Sequence, residues 1–468
     1  MPSNTSMKSH LILNRRSFLK TLGAATLSAP FFTRNLFSAP PSRVLRHVSF
    51  GAGGMARADL TALLSNEFVK LVAVADVDLT RATWLKEKYP NLKVYQNWRE
   101  LLDKEQKNFD SCNVSTPDHM HAPIAMSAMQ LGKHVYCQKP LCHDLYEVRQ
   151  LTLMARKKRV MTQMGIQIHS QKVYRLAVAL VQSGAIGKVK EIHTWSDRKW
   201  GDTGAPVEKN DPVPADLDWN QWVGVCGERP FIGGGYYHPG NWRKRLDFGT
   251  GSFGDMGCHI YDPVFEAAAL TAPISVRSEG PAPDKWNWSI NAVIRYVFPG
   301  TRFTEGKTLN ITWYDGDERP PKDIQALVAE PAKPDAAKSD GKKKKKNSGG
   351  IPSNGSIVIG TKGVLLIPHV GMPKLFPADQ FKDFTMPPAE NVHHWTEWAE
   401  ACTGKGKPSA NFDYAGPLTE AVLLGSVAVR FPQTTLEWNA AKLKFTNVTE
   451  ANQFIRRQYR KGWEVKGL

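Results

Sequence analysis

Asp255 and His259 stand four residues apart in the stretch Gly-Ser-Phe-Gly-Asp-Met-Gly-Cys-His-Ile-Tyr-Asp (251–262), between a glycine-rich turn and an apolar run. On a helix that spacing brings a carboxylate and an imidazole to one face. Such a pair suits three different purposes. It can hold a metal ion, given further ligands such as His238 or Asp262. It can move protons near neutral pH, where an imidazole titrates. Or the aspartate can cap a helix start and the histidine be incidental. The stretch alone leaves all three open.

A second group of residues points to a nucleotide. The strand-like run 43–50 leads at once into Gly51-x-Gly53-x-x-Ala56 and a helical pattern. Gly51 permits the tight turn, Gly53 lets backbone approach a pyrophosphate, and Ala56 allows close helix–strand packing. Gly54 and Met55 complete the loop at the helix N-terminus, which attracts an anion. A second strand, 69–76, ends in Asp76, about 25 residues after Gly51 and close to the usual interval of about 20. A carboxylate there binds the adenosine ribose 2′-hydroxyl and repels a 2′-phosphate. Asp78 adds negative charge, so the spacing predicts NAD rather than NADP.

The elements that must position these groups alternate. Helical patterns at 79–90, 97–105, 118–132 and 144–158 separate strand-like runs at 92–96, 109–117, 133–141 and 159–165. That alternation predicts a doubly wound parallel sheet, a Rossmann domain over 43–165. Ligands bind such sheets at the C-terminal ends of the strands. Two loops fall there, Ser115-Thr116-Pro117-Asp118-His119-Met120-His121 and Gln138-Lys139-Pro140. They resemble the TPDHxHA and EKP motifs of the Gfo/Idh/MocA oxidoreductase family. The resemblance implies that Thr116, Pro117, Asp118, His119, Gln138, Lys139 and Gln167 face the cofactor. Gln138 departs from the family's glutamate. An amide can hydrogen-bond a ribose but cannot act as acid or base.

Residues 166–468 are similar to the family's C-terminal α+β domain, an open, mostly antiparallel sheet. A helical run at 169–187 precedes strand-like runs at 188–198, 288–298, 307–316, 356–367 and 436–446. The polar, proline-rich insert 329–350 has no core pattern and reads as a disordered surface loop. The resemblance places Asp255 and His259 on a helix facing the nicotinamide, with Lys139 as their partner. His259 is then the base, Asp255 a holder of substrate or imidazole, and Lys139 a stabiliser of developing alkoxide. No metal is needed, since the cofactor carries the redox chemistry. Trp195, Asp197, Arg198, Tyr237, His238, Trp242 and Arg243 are candidate sugar contacts, because flat aromatics stack on sugars and charged groups bind hydroxyls. His393 and His394 read as ordinary helix-start residues.

Composition excludes other classes. The 468-residue chain is 41% hydrophobic and 22% charged, as expected of a globular protein with a large core. Its formal charge of +17 is partly local, in the N-terminal segment and in Lys342–Lys346, so no nucleic-acid partner is expected. Arg15-Arg16 before a short, weakly apolar stretch resembles a twin-arginine export signal over 1–39, too short for a membrane span. The expected location is periplasmic or otherwise exported. Six cysteines without a CxxC pair read as buried thiols rather than bridges or a zinc site. The expected activity is hydride transfer between tightly held NAD and a hydroxyl of a sugar, sugar acid or polyol, in a homo-oligomer. The alternative is an NAD-dependent glycosidase or lyase that oxidises C3 transiently and eliminates across C2.

Overall fold

The computed structural model describes residues 44–205, 207–330 and 350–468. The export segment and nearly all of the 329–350 insert lie outside the described residues. The first sheet contains β1 (Leu45–Phe50), β2 (Val69–Ala75), β3 (Lys93–Tyr95), β4 (Ser111–Val114), β5 (His134–Cys137) and β6 (Thr162–Met164). All pairs are parallel, in the order β3-β2-β1-β4-β5-β6. This is the dinucleotide-binding order, whose ligand crevice opens between β1 and β4 where the winding reverses. β4 is buried at every residue, as a strand covered on both faces must be.

The second sheet contains β7 (Val189–Ser196), β8 (Ser275–Ser278), β9 (Val293–Pro299), β10 (Thr308–Asp315), β11 (Asn354–Gly360), β12 (Val364–Pro368), β13 (Lys374–Phe376), β14 (Thr435–Asn439) and β15 (Lys444–Phe445). Its order is β13-β12-β11-β7-β10-β9-β8-β14-β15, antiparallel except between β7 and β10. Two of the strand-like runs turn out to be hairpins. The run 356–367 breaks into β11 and β12 at a turn where Gly360 N–H donates to Gly363 O at 2.9 Å. The run 436–446 breaks into β14 and β15.

The Gly251–Ala267 helix lies against β7 and β11 on one side and against the Lys172–Gln182 and Phe412–Ala428 helices on the other. Its interior residue Pro263 cannot donate to the His259 carbonyl, which loosens the helix one turn beyond the Asp255/His259 pair. Thr250 is the N-cap, with its hydroxyl committed to Asp118 Oδ2 at 2.7 Å. Asp255 sits well inside the helix, so the capping reading does not hold.

The chain returns twice to the first sheet. The His394–Cys402 helix packs on the Met55–Leu63 helix, and the Phe412–Ala428 helix packs on the Leu145–Lys158 helix. After β14 and β15 the C-terminal segment comes back again, where Tyr146 N–H donates to Ile455 O at 2.9 Å and Arg457 N–H to Asp144 Oδ2 at 3.0 Å. All six cysteines are free thiols, five of them buried.

Arg149, on the Leu145–Lys158 helix, clasps that helix to the Phe412–Ala428 helix. Its guanidinium meets both Glu420 oxygens at 2.7 and 2.8 Å and also reaches Ala440 O. Glu420→Ala leaves Arg149 without its carboxylate. A loss of about 2 kcal/mol is expected, below the range for fully buried pairs because Arg149 still reaches water. Thermal or denaturant unfolding of the variant reads it directly.

Candidate active site

A cleft of about 400 Å³ opens at the β1/β4 crevice and runs between the two sheets. At its floor Gly51 has φ +105°, and a Cβ there would lie 2.6 Å from Ser115 O, so only glycine fits. Gly53, Gly54 and Met55 line the cleft. The Met55–Leu63 helix has no side-chain cap and no acidic residue in its first turn. Ala56 N–H turns to Gly53 O at 3.0 Å, which leaves Met55 N–H at the helix start open to an anion. Arg81 lies over Gly53, with Nη1 2.5 Å from where a Cβ would be. Asp76 is pinned at the end of β2, accepting from Ala52 N–H at 2.8 Å and Asp78 N–H at 3.0 Å. Burial raises its carboxyl pKa. Thr116 Oγ1 is enclosed and has no partner among the described residues. A glycine cradle at a helix start, a fixed carboxylate and an orphan hydroxyl along one crevice fit a dinucleotide.

At the far wall, the burial pattern of the Gly251–Ala267 helix repeats the spacing of the pair. From 251 to 260 only Asp255 and His259 are not fully buried. Lys139 Nζ donates to Asp255 Oδ1 at 2.6 Å and to its carbonyl at 2.7 Å. Arg243 Nε reaches the same Oδ1 at 3.1 Å, and Trp200 Nε1 donates to Oδ2 at 2.9 Å. Burial alone would raise the Asp255 carboxyl; Lys139 and Arg243 override it and hold it well below the ordinary range. His259 lines the cleft with neither ring nitrogen hydrogen-bonded among the described residues. Burial and the Lys139 charge push it well below an ordinary histidine, so the ring is neutral. His369 stacks obliquely near it, ring centroids 5.7 Å apart, and its Nδ1 lies 2.7 Å from the Tyr174 hydroxyl.

Gln138 lines the cleft, but its amide is engaged beneath it. Nε2 donates to both oxygens of the fully buried Asp59, at 2.9 and 3.1 Å. Trp395 Nε1 and Ser115 Oγ donate to the same carboxylate at 2.9 and 2.7 Å. Burial pushes the Asp59 carboxyl up to about 6, and these donors limit the rise. A glutamate at 138 would set two carboxylates against each other. The buried aspartate thus gives a physical reason for the amide in this chain. Gln167 also lines the cleft, with Nε2 3.2 Å from the Tyr136 hydroxyl.

The structure places Thr116, Pro117, Asp118, Gln138, Lys139, Gln167, Trp242 and Arg243 on the cleft wall. Asp118 is buried, which pushes its carboxyl up to about 7 despite Arg243 and Thr250. Other expected contacts lie elsewhere. His119 faces away from the cleft; it is held by Trp222 O at 2.9 Å and packed on Phe248. Trp195 is fully buried on the face of the second sheet opposite the Gly251–Ala267 helix, its Nε1 on Pro352 O at 2.7 Å. Strand alternation puts it there. Asp197 and Arg198 follow the end of β7 into solvent, and it is the Arg198 carbonyl that is used, accepting from Ser252 Oγ at 3.1 Å. Tyr237 is buried in an aromatic cluster with Trp219, Trp222 and Phe248. His238 does line the cleft, but at the β2 end, with Nε2 2.9 Å from Asp78 Oδ2 and 3.3 Å from Arg81 Nε.

The metal reading loses its extra ligands. Asp262 is turned to His169 at 2.9 Å and to Tyr414 at 2.6 Å, and His238 to Asp78. Sequence reasoning missed Trp200, His369, Arg81 and Asp59. Trp200 lies two residues beyond Arg198, in a segment already under suspicion. The others carry no local signal, since each reaches the site only through tertiary packing.

Two family models match the chain. One describes the NAD-binding Rossmann fold of an oxidoreductase family and covers residues 45–166; the other describes that family's C-terminal alpha/beta domain and covers 172–302. Among curated relatives, a levoglucosan dehydrogenase of Pseudarthrobacter phenanthrenivorans is 22% identical over 210 residues, 44% of this chain and 45% of that protein. A myo-inositol 2-dehydrogenase of Thermotoga maritima is 26% identical over 149 residues, 32% of this chain and 40% of that one. The matched part thus spans less than half the length of these relatives. Among solved structures, the WlbA dehydrogenase of Bordetella pertussis, in complex with NADH and UDP-GlcNAcA, superposes with a TM-score of 0.57 at 13% identity, covering 85% of this chain and 98% of that one. That likeness concerns the fold.

The Asp59–Gln138 contact yields a pH-dependent prediction. Gln138→Glu places two carboxyls in one buried site, so one must hold its proton with a raised pKa. Folding then binds a proton that the unfolded chain releases above about pH 4, and stability falls as pH rises through the shifted value. The variant's melting temperature should lie well below the native protein's at pH 8 and recover much of the gap at pH 5. An equal deficit at both values would contradict the contact.

Proposed function

The chain belongs to the Gfo/Idh/MocA oxidoreductase family, and on that premise we propose that it transfers hydride between NAD and a hydroxyl-bearing carbon of a sugar, sugar acid or polyol. One observation carries the reading. Lys139, from the loop after β5, and His259, from the helix under the second sheet, line the same cleft as the dinucleotide cradle, and Asp255 on that helix holds Lys139 by an ion pair.

The backbone of Gly53, Gly54 and Met55 would hold the pyrophosphate, and Asp76 the adenosine ribose. Thr116, Pro117, Asp118, Gln138 and Gln167 would border the nicotinamide half. When bound, that ring supplies the acceptor or donor of hydride. The chain's own residues handle the proton and the charge. Neutral His259 takes the hydroxyl proton as general base. Its lowered pKa keeps it in the base form but makes it a weak one. Lys139 offsets that weakness by stabilising the oxygen as it gains charge. Asp255 keeps Lys139 aimed, and Arg243 and Trp200 keep Asp255 from swinging toward His259. Trp242 and Arg243 offer an aromatic face and a cation to the substrate.

The same reading includes export of the folded protein, supported by Arg15-Arg16, and homo-oligomer formation through the second sheet, supported by the family resemblance. Neither bears on the chemistry at Lys139.

The test begins with the protein as purified, loaded with NAD. A free sugar or polyol that reduces the bound nicotinamide stoichiometrically supports the proposal. Release of aglycone from aryl glycosides without net reduction would replace it with the glycosidase reading.

Lys139→Ala and His259→Ala should each lower turnover about a hundredfold or more while retaining nucleotide; activity within a few-fold of native in both would overturn the assignment. The base must be unprotonated, and its pKa is depressed. The acid limb of the kcat/KM profile is therefore expected below pH 6.5, with no loss between pH 8 and 6.5.

A further inference from the structure

On the other side of the Leu145–Lys158 helix start, between it and the end of the Phe412–Ala428 helix, lies a second cavity of about 250 Å³. It is separate from the cleft and shares no lining residue with it. Arg430 faces it from just past the helix end. The guanidinium is flanked by the Trp288 ring at 5.0 Å and the Phe454 ring at 4.5 Å. It makes no hydrogen bond or salt bridge among the described residues. Aromatic flanks fix the plane of a guanidinium and leave its donor edge free, the arrangement that suits bidentate recognition of an oxyanion.

Neighbouring groups point the same way. Ser426 Oγ is enclosed at the cavity wall and has no partner among the described residues. Arg457 donates from Nη2 to Asp247 O at 2.9 Å, but its Nε and Nη1 find no acceptor among the described residues. Lys285 stands exposed on the rim. Buried donors without acceptors are costly, and several around one cavity mark a place for an acceptor-rich ligand. The two acids in the wall do not fill that role. Asp144 accepts from Glu147 N–H and Arg457 N–H, at 3.0 Å each, and Asp247 is ion-paired with Arg229. Burial lowers the Arg430 guanidinium to about 10, with only Asp247 opposing the fall.

We propose that this cavity binds a small organic oxyanion, a carboxylate or phosphate on a short carbon body, gripped by Arg430 with Ser426 and the Arg457 edge. The size decides between ligand classes. It is far more than a lone ion needs, and below the range of about 300–1,000 Å³ typical of larger ligands. Leu246, Leu423 and Val427 provide apolar walls for the carbon body.

Calorimetric titration of the NADH-saturated protein tests it, with inorganic phosphate, gluconate and glucose 6-phosphate as probes and glucose as the uncharged control. At least one charged probe should bind saturably, and glucose should not. Gluconate binding alone assigns a carboxylate ligand; glucose 6-phosphate or phosphate binding assigns a phosphate. Arg430→Met should weaken the active probe at least tenfold, and Ser426→Ala should weaken it by a smaller factor, with far-UV circular dichroism showing both folded. Lys139→Ala should bind the probe like the native protein, which separates this site from the substrate site. Absence of saturable binding by all three charged probes would overturn the proposal. So would an unchanged affinity in both Arg430→Met and Ser426→Ala, or a loss of binding in Lys139→Ala.

Discussion

The 2.6 Å ion pair between Lys139 and Asp255 joins the loop after β5 to the helix beneath the second sheet. It is a half-buried contact whose members would each be costly alone. One carboxylate answers two cations, Lys139 and Arg243, and also accepts from Trp200. The wall of the cleft therefore keeps an excess of positive charge next to an uncharged imidazole. That asymmetry suits an oxygen acquiring negative charge, and it depends on how the Gly251–Ala267 helix is seated. The helix start serves the same end: Gly251 adopts φ +68° against the Trp288 ring, and Thr250 ties the turn to Asp118.

Much of this was legible from the residues because it depends on short-range patterns. The glycine fingerprint, the Asp76 interval, the alternation of strands and helices and the four-residue spacing of Asp255 and His259 are all local. Each maps onto an element in its expected place. What eluded the reading depends on faces and register. Trp195 sits in a true strand, but alternation turned it to the far side of the sheet. His119 belongs to a true loop motif, but the short helical turn at Asp118–Met120 carries Asp118 to the cleft and His119 into the seam with Trp222. Two long strand-like runs were hairpins because their glycine and polar breaks were too small to stand out. β8 and β13 were too short to show any pattern at all.

The amide at Gln138 illustrates a longer-range dependence. Read alone it looked like a lost acid. Its meaning comes from Asp59, on a helix 79 residues earlier, and from Trp395, brought in from near the other end of the chain. Three distant segments thus share one buried negative charge under the cleft floor. The site and the scaffold below it form one electrostatic unit, so substitutions at 59, 138 and 395 are coupled in their effects.

The double return of the chain has a mechanical consequence. Two-lobed proteins that open like a jaw usually do so about a few residues in a single linker. Here the connection after β6 is only one of several. The His394–Cys402 and Phe412–Ala428 helices, and then the segment from Ile455 onward, each re-cross to the first sheet and are fastened there by backbone hydrogen bonds, as at Met164 N–H to Ala410 O and Tyr146 N–H to Ile455 O. Rotation about any one strap strains the rest. The body of the molecule behaves as a laced frame, and traffic through the cleft falls to side chains and loops at its mouth.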